Sequence, residues 1–140
     1  MPATLDDSIA IAAFCQALVA KLTWLYERNM TTRVFSPHYI EENKWRATRY
    51  GLDAEVVDFG QRRRLSMRDA IHETLDFVDD VVDDLESRRE INYIRTLLED
   101  KRGTGADRQL AVYQQANSLQ AVVDYLMQQT MLGVALDPAA

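Results

Sequence analysis

Apolar residues recur at helical spacing along most of the chain. In the first segment, from about Leu5 to Arg28, large apolar side chains form a broad face, and alanines lie elsewhere around the same predicted helix. The small residues favour close packing on that reverse side as well. The large apolar face consists of Ile11, Phe14, Leu18, Leu22 and Leu25, and the alanines are Ala12, Ala13, Ala17 and Ala20.

Helix-start signals predict most of the remaining helices. A Ser, Thr or Asn that is followed three residues later by an acidic or amide side chain can cap two free backbone N–H groups. This spacing, or a close relative of it, begins at Thr4, Ser66, Ser87, Thr104 and Asn117. After Ser66, apolar residues alternate at spacings of four and three as far as Leu85, which predicts one helix that ends near Glu86. Further helices are predicted at about Ser87 to Lys101, Ala106 to Ala116 and Ser118 to Met131.

The segment before Ser66 carries another helix and one exception to the helical pattern. The Ser36–Pro37 pair is typical of a helix start, and Gly51 predicts the end of that helix. From Glu55 to Leu65, apolar and polar residues alternate loosely around Gly60, which favours a short β-hairpin. The sequence therefore predicts a mostly α protein with five to six helices and, as the exception, a short β-hairpin near residues 55–65.

Composition and charge narrow the function classes. The 140 residues suit a single helical domain, and their net charge of -6 argues against a general binder of nucleic acid or of anionic membranes. The sequence shows no run of 18 apolar residues and no signal peptide at its start, so we expect a soluble, cytoplasmic protein without a membrane or nucleic-acid partner. The composition does not exclude local anion-binding sites, because most of the 16 basic residues are Arg. The single cysteine, Cys15, excludes a disulfide framework within the chain.

An acidic run, DFVDDVVDDLE, contains the spacing DDxxD, by which two helical turns present carboxylates to magnesium in prenyl-diphosphate chemistry. At about 100° per residue, all of its aspartates fall opposite the apolar stripe of the same helix, so we expect a solvated face. These aspartates are Asp76, Asp79, Asp80, Asp83 and Asp84. His38 and His72 have no partner at metal-ligand spacing, and no metal site is expected in this chain.

Polar and charged residues crowd the helix that ends at Gly51. Asn43, Arg46 and Tyr50 lie within about 60° of one another on a helix, and Arg49 lies beside Arg46. Two guanidinium groups and an amide suit an anion such as a phosphoryl group or a carboxylate. The residues themselves leave an alternative to an anion site, in which Glu42 pairs with both arginines on an ordinary solvent-exposed surface.

Two other basic stretches have simpler explanations. The RRR at 62–64 could grip a phosphate, but consecutive strand residues point to opposite faces, which favours a solvated strand. The stretch RGTGADRQ, at 102–109, could hold an anion at the free N–H groups of a helix start, but capping alone accounts for it.

The stretch ENKWRATRYGLDAEVVDF, at 42–59, resembles the signature EN-[KR]-[WF]-x-A-x-RYGL-[DE]-[AG] of the carboxylate–amine ligases related to type 2 glutamate–cysteine ligase. Two weaker blocks resemble the same family in the same order. They are MPATLDDSIAIAAFCQALV at 1–19 and RGTGADRQLAVYQQANSLQAVVDYLMQQT at 102–130, so that the resemblance covers nearly the whole chain.

The resemblance implies a fold like that of glutamine synthetase, in which a curved antiparallel sheet holds magnesium and ATP and helices pack behind and beside it. It implies that ATP activates a glutamate side-chain carboxylate as an acyl phosphate, which an amino group attacks to form an amide. ATP and Mg²⁺ would be the cofactors, and an amino-acid carboxylate and an amine the substrates. Arg46 and Arg49 would stabilise transferring phosphate, and Asn43 and Tyr50 would hold substrate or orient those arginines. Arg108 is a further candidate from its place in GADRQ, and no residue is assigned as catalytic.

Such ligases are much longer than this chain, and what is missing is the amino-terminal portion with the sheet and its metal ligands. We therefore expect residues 1–140 to be the C-terminal helical region of a ligase, inactive alone. Its first helix should expose apolar surface, which the missing portion or self-association would cover. The alternative from another class is an inactive helical interaction module derived from the same scaffold. A prenyl-diphosphate enzyme is disfavoured, because its aspartates would face outward and a second such motif is absent.

Overall fold

A computed structural model describes residues 4–30, 35–100 and 103–132, and these ranges contain seven α-helices and one two-stranded antiparallel sheet. The mostly α fold and the hairpin predicted near residues 55–65 are confirmed. A single 3₁₀ turn, Gly51–Asp53, follows the second helix. The elements are α1 (Leu5–Glu27), α2 (Pro37–Tyr50), β1 (Glu55–Asp58), β2 (Arg63–Ser66), α3 (Met67–Phe77), α4 (Asp79–Val82), α5 (Arg88–Glu99), α6 (Gly105–Ala116) and α7 (Leu119–Met131).

Side-chain caps fix several of the predicted helix starts. Thr4 Oγ1 accepts from the Asp7 backbone N–H at 3.0 Å, and Asp7 Oδ2 accepts from the Thr4 N–H at 3.3 Å. Thr104 and Asp107 form the same reciprocal box at the start of α6. Asn117 was wrongly predicted to start a helix, since it ends α6 in the left-handed conformation, and the next residue, Ser118, caps α7. An amide side chain tolerates positive φ, so Asn suits this end position.

The buried stripe of α1 combines alanines with part of the predicted large apolar face. Ala13 and Ala17 are 9% and 0% exposed, whereas Ile11 and Leu22 of the predicted large apolar face are 51% and 44% exposed. Small side chains let the backbones of α1 and α5 approach closely, which large ones on that side would prevent. The close packing expected behind the large residues is therefore present. The large apolar face itself is divided, since its other three members are buried or pack against the core.

The hydrophobic core lies where α1, α3, α4 and α5 meet. The single helix predicted from Ser66 to Glu86 is wrong, because it breaks at Val78 and is followed by the one-turn α4. Val78, Val81 and Val82 all belong to the core, as their spacing on one helix face predicts. Its buried members are Ala17, Leu75, Val78, Val81, Val82, Ile91 and Leu98.

By length and composition, α1 is long and apolar enough to cross a membrane, which corrects the expectation that no segment meets that test. One face of this helix is nevertheless packed on the rest of the protein and includes the buried Lys21, whose Nζ lies 2.5 Å from Asp80 Oδ2. Core helices of soluble proteins and signal sequences both pass the same test.

The acidic run lies on the outside of α3 and α4, as predicted, and three of its aspartates pair with arginines of α5. Arg88 forms ion pairs with Asp79 at 2.5 Å and with Asp83 at 2.8 Å. Arg95 lies 2.8 Å from Asp76. The aspartates therefore bind the following helix α5 to α3 and α4 across the surface.

Candidate functional site

Asn43 joins α2 to the hairpin through its side-chain amide. Its Nδ2 donates to the Val57 carbonyl at 2.8 Å, and its Oδ1 accepts from the Val57 N–H at 2.9 Å. The amide thus continues the hydrogen-bonding edge of β1 as a strand backbone would. This arrangement positions α2 and commits the polar atoms of Asn43 to the protein.

The two α2 arginines differ in their surroundings. Arg46 Nε donates to Glu42 Oε1 at 2.8 Å, and its Nη1 donates to the Glu55 carbonyl at 3.3 Å. Arg49 forms no ion pair within the part of the chain that the structure describes, and its guanidinium lies 5.9 Å from the Tyr50 ring centroid. The alternative in which Glu42 pairs with both arginines therefore holds for Arg46 and not for Arg49.

An exposed aromatic pair accompanies Arg49. The rings of Trp45 and Tyr50 meet edge to face with centroids 5.9 Å apart, and the two residues are 56% and 54% exposed. Large aromatic side chains that stay this exposed next to an unpaired guanidinium form a surface suited to a planar or anionic partner.

The turn after α2 brings two of the sequence blocks together. Gly51 has φ 56° and ψ -131°, a conformation that a residue with a Cβ adopts only under strain. A Cβ built on Gly51 would lie 3.9 Å from Thr104 Cγ2, so the end of the RYGL block abuts the start of α6. This contact joins positions that are about fifty residues apart in sequence.

A cavity of about 370 Å³ opens beside this contact. Its walls are largely apolar and come from α1, the 3₁₀ turn, α3, α5 and the start of α6, while Asp7, Thr104 and Arg108 supply polar groups. Arg108 Nε donates to the Thr104 carbonyl at 3.5 Å. The apolar lining includes Ile11, Phe14, Leu52, Ile71, Ile94, Leu97 and Leu98.

This cavity brings together all three blocks that carry the resemblance. Phe14 comes from the first block, Leu52 from the RYGL block and Arg108 from the GADRQ block. Of the predicted site residues, Arg108 lines the cavity, whereas Arg46 and Arg49 do not. Sequence reasoning missed the part of α5 that forms one wall, since Ile94 and Leu97 read as ordinary positions of an amphipathic helix.

Two titratable side chains, Asp107 and Tyr93, form hydrogen bonds with residues that line the cavity. The side chain and backbone N–H of Thr104 lower the pKa of Asp107, and the nearby Arg68 lowers it further. On α5, burial and a hydrogen bond to Asp7 raise the pKa of Tyr93, whose hydroxyl donates to Asp7 Oδ1 at 2.9 Å. At neutral pH the Asp107 carboxylate is therefore ionised and the Tyr93 hydroxyl is neutral.

The basic RRR stretch is engaged within the hairpin region. Arg63 pairs with Asp58 at 3.5 Å and with Glu73 at 2.5 Å, and Arg64 pairs with Glu55 at 3.2 Å. These contacts agree with the simpler explanation that this stretch is part of a solvated strand. Among residues 4–30, 35–100 and 103–132, no group of three or more His, Cys, Asp or Glu side chains is placed to hold a metal ion.

Comparison with known proteins identifies the family. The chain matches the model of glutamate-cysteine ligase family 2 (GCS2) over residues 2–125. A protein of Solibacter usitatus with the name "Putative glutamate–cysteine ligase 2" is 50% identical over 134 residues, which is 96% of this chain and 34% of that protein. Proteins of the same name from Herpetosiphon aurantiacus and Chloroflexus aurantiacus are each 48% identical, over 96% and 92% of this chain and 34% and 33% of their own lengths.

No solved structure matches the chain. The chain spans about a third of the length of the curated relatives that it matches. Since the family match extends over most of the 140 residues and joins the blocks that meet at the cavity, this chain belongs to glutamate-cysteine ligase family 2.

Proposed function

We propose that this chain is the C-terminal helical part of an ATP-dependent carboxylate–amine ligase of the glutamate–cysteine ligase type, which forms an amide through an acyl phosphate. One observation carries the proposal: the three sequence blocks of the resemblance come from distant parts of the chain and meet at one cavity.

The proposed roles follow from the surroundings of each side chain. Arg108 stands at the polar end of the cavity, and Arg49 is exposed, so both can meet an anionic group of a ligand. Arg46 is braced by Glu42 and by the Glu55 carbonyl, and Asn43 holds the hairpin, so these two position the surface. Tyr50 offers its ring beside Arg49.

ATP and Mg²⁺ would supply phosphoryl transfer and charge neutralisation in such a ligase. The described residues fit a contribution of guanidinium groups to an anion site, and they do not fit a Mg²⁺ site, because they contain no suitable cluster of carboxylates. The metal ligands would therefore belong to the amino-terminal portion, and this chain alone would make no amide. The substrates would be an amino-acid carboxylate and an amine.

The outer face of α1 fits a partner of this kind. Ile11, Val19 and Leu22 are each more than 40% exposed although they are large and apolar, and they lie within about 80° of one another around the helix. Contiguous apolar surface of this kind marks a contact site. The amino-terminal two thirds of the ligase would cover it.

Complementation tests the proposal. The chain is co-expressed with the amino-terminal two thirds of the Solibacter usitatus relative, and ATP consumption that depends on glutamate and an amine is measured. We expect activity in the mixture and none in either part. Arg49→Ala or Arg108→Ala should lower kcat by about 100-fold, the usual effect of losing one charged transition-state donor. Arg64→Ala, which removes a hairpin arginine remote from the cavity lining, is the matched control and should leave kcat unchanged.

A complex that forms and consumes no ATP would contradict the proposal. It would favour the second candidate, an inactive helical interaction module, for which the exposed apolar face of α1 also speaks. In that case Leu22→Asp would abolish partner binding, and Arg49→Ala would change nothing.

A further inference from the structure

The placement of Arg108 depends on contacts near the start of α6. Among the residues described in α6 and α7 none is buried, and the two helices pack chiefly on each other. The rest of this helix pair therefore does little to hold Arg108 at the polar end of the cavity that it lines. The contacts that hold it lie in the turn from Gly103 to Asp107 and in the elements next to that turn.

The turn itself is closely packed. Asp107 Oδ2 accepts from the backbone N–H and from the hydroxyl of Thr104, both at 2.7 Å. A Cβ built on Gly103 would lie 2.5 Å from the same oxygen, and Gly103 has φ 74°, so no other residue fits this position without strain. Arg108 follows Asp107 directly, so the backbone from which its side chain extends is fixed together with this turn.

Arg68, at the start of α3, contacts the end of the helix that precedes this turn. Its Nη1 donates to the Leu98 carbonyl, which belongs to the last turn of α5. Carbonyl groups in a last helical turn find no donor within their own helix, and the helix dipole favours a cation there. Arg68 also acts on the next helix, since hydrogen bonds from Thr104 lower the pKa of Asp107 most and the positive charge of Arg68 lowers it further. Arg68 therefore contacts one end of the connection between α5 and α6 and influences the other end electrostatically.

We propose that Arg68 is the residue that positions Arg108. It holds the end of α5 against α3, and so fixes the point from which the chain continues into α6. Leu98 and Arg108 both line the cavity, one before and one after this connection, whereas Arg68 is not among the described residues that line it. Arg68 therefore acts through Arg108 and not on the ligand, and this role rests on the proposed function, in which Arg108 meets an anionic group.

A double-mutant cycle in the complemented ligase tests this role. Arg68→Ala should lower kcat by about 10-fold, because a small displacement of Arg108 weakens its contact with the anion. In the Arg108→Ala chain the same change should lower kcat by less than about twofold, because the effects of residues that act as a unit are not additive. Arg68→Lys, which keeps the charge and a donor, should retain most of the activity. Arg89→Ala, which removes an exposed arginine from the first turn of α5, is the matched control and should change kcat in neither chain.

A side chain that merely stabilises the end of α5 would give a different result. Arg68→Ala would then lower kcat equally in the wild-type and the Arg108→Ala chains, and this outcome overturns the proposal. An unchanged kcat for Arg68→Ala in the otherwise wild-type chain overturns it as well. Circular dichroism checks the folding of each variant, and if Arg68→Ala does not fold, Arg68→Gln takes its place in the cycle.

Nuclear magnetic resonance of the full chain by itself gives a readout that needs no activity. Arg68→Ala should shift the Nε–H signal of Arg108 and raise the pKa of Asp107, whereas Arg89→Ala should change neither. A wild-type complex that consumes no ATP contradicts the proposed function and leaves the placement of Arg108 to this measurement. An Arg108 signal that Arg68→Ala leaves unchanged overturns the positioning role, whether or not the complex is active.

Discussion

The side chain of Asn43 pairs with both backbone groups of Val57, its Nδ2 with the carbonyl at 2.8 Å and its Oδ1 with the N–H at 2.9 Å. An amide is the one short side chain that offers a donor and an acceptor in this geometry. The contact fastens α2 to β1 and so sets where Arg46, Arg49 and Tyr50 stand. Asn43 would therefore affect a ligand of that surface only by positioning α2, because its own amide is bonded to Val57.

Replacement of Asn43 should therefore destabilise the fold. Asn43→Ala leaves the N–H and carbonyl of Val57 without these partners, and we expect the free energy of unfolding to fall by about 1–3 kcal/mol. Asn43→Asp keeps the shape but turns an oxygen toward the Val57 carbonyl and should cost at least as much. Urea unfolding followed by circular dichroism measures both. Lys44→Ala, on the exposed next position of α2, is the control and should change stability by less than about 0.5 kcal/mol; equal losses for both positions would refute the role of the pairing.

The ion pair between Lys21 and Asp80 should respond unequally to the loss of either partner. The side chain of Lys21 is 11% exposed and that of Asp80 is 55% exposed. Asp80→Ala leaves a nearly buried ammonium without its carboxylate, and we expect a loss of about 1–2 kcal/mol, less than for a fully buried pair. Lys21→Met keeps the packed stem and leaves an aspartate that water can solvate, so it should cost less.

Thermal and urea unfolding of these two variants checks that order. Asp84→Ala, an exposed aspartate of the same acidic run, serves as the control and should have little effect. A larger loss for Lys21→Met than for Asp80→Ala would mean that the aliphatic stem, and not the charge pairing, supplies the stability.

Acid should weaken the hairpin through Asp58. The backbone N–H of Gln61 lowers the pKa of Asp58 most, and Gly60 and Arg63 lower it further against partial burial, which raises it. A carboxyl group whose pKa is lower in the folded than in the unfolded protein stabilises the fold at pH values above its unfolded pKa of about 3.9. This stabilisation is lost as the pH falls through the folded pKa. Stability should therefore decline below about pH 4. Asp58→Asn should flatten that decline in urea titrations at pH 5, 4 and 3, and an equally steep decline in the variant would contradict this role of Asp58.

The turn at Gly51 should not accept a side chain. There is room for a Cβ, which would lie 3.9 Å from Thr104 Cγ2, so the cost comes from the backbone at φ 56° and ψ -131°. Gly51→Ala should lower the free energy of unfolding by about 1–3 kcal/mol, the usual price of such a conformation. Differential scanning calorimetry measures the loss. Ala47→Ser, one turn earlier in α2, should change the melting temperature far less, and a Gly51→Ala protein as stable as the wild type would show that the turn relaxes freely.

Much of the secondary structure could be predicted from short local signals. The Thr4 and Thr104 boxes, Pro37 and Gly51 mark element ends because capping and φ preferences depend on a few neighbouring residues. The alternation around Gly60 likewise predicted the hairpin. The signature around RYGL predicted the family, which the match over residues 2–125 confirms.

Tertiary structure decided which faces are used and which residues meet. Around α1, apolar side chains lie on more than one side, and the stripe that is buried depends on where α5 packs, which no local pattern contains. The break at Val78 likewise has no local signal, since a continuous helix satisfies the apolar spacing equally well. The cavity joins Phe14, Leu52 and Arg108 from three distant segments, and such a contact exists only once the chain has folded. Sequence by itself therefore determined the elements and the family, whereas the three-dimensional packing determined the site, because side chains far apart along the chain meet through the core that places them.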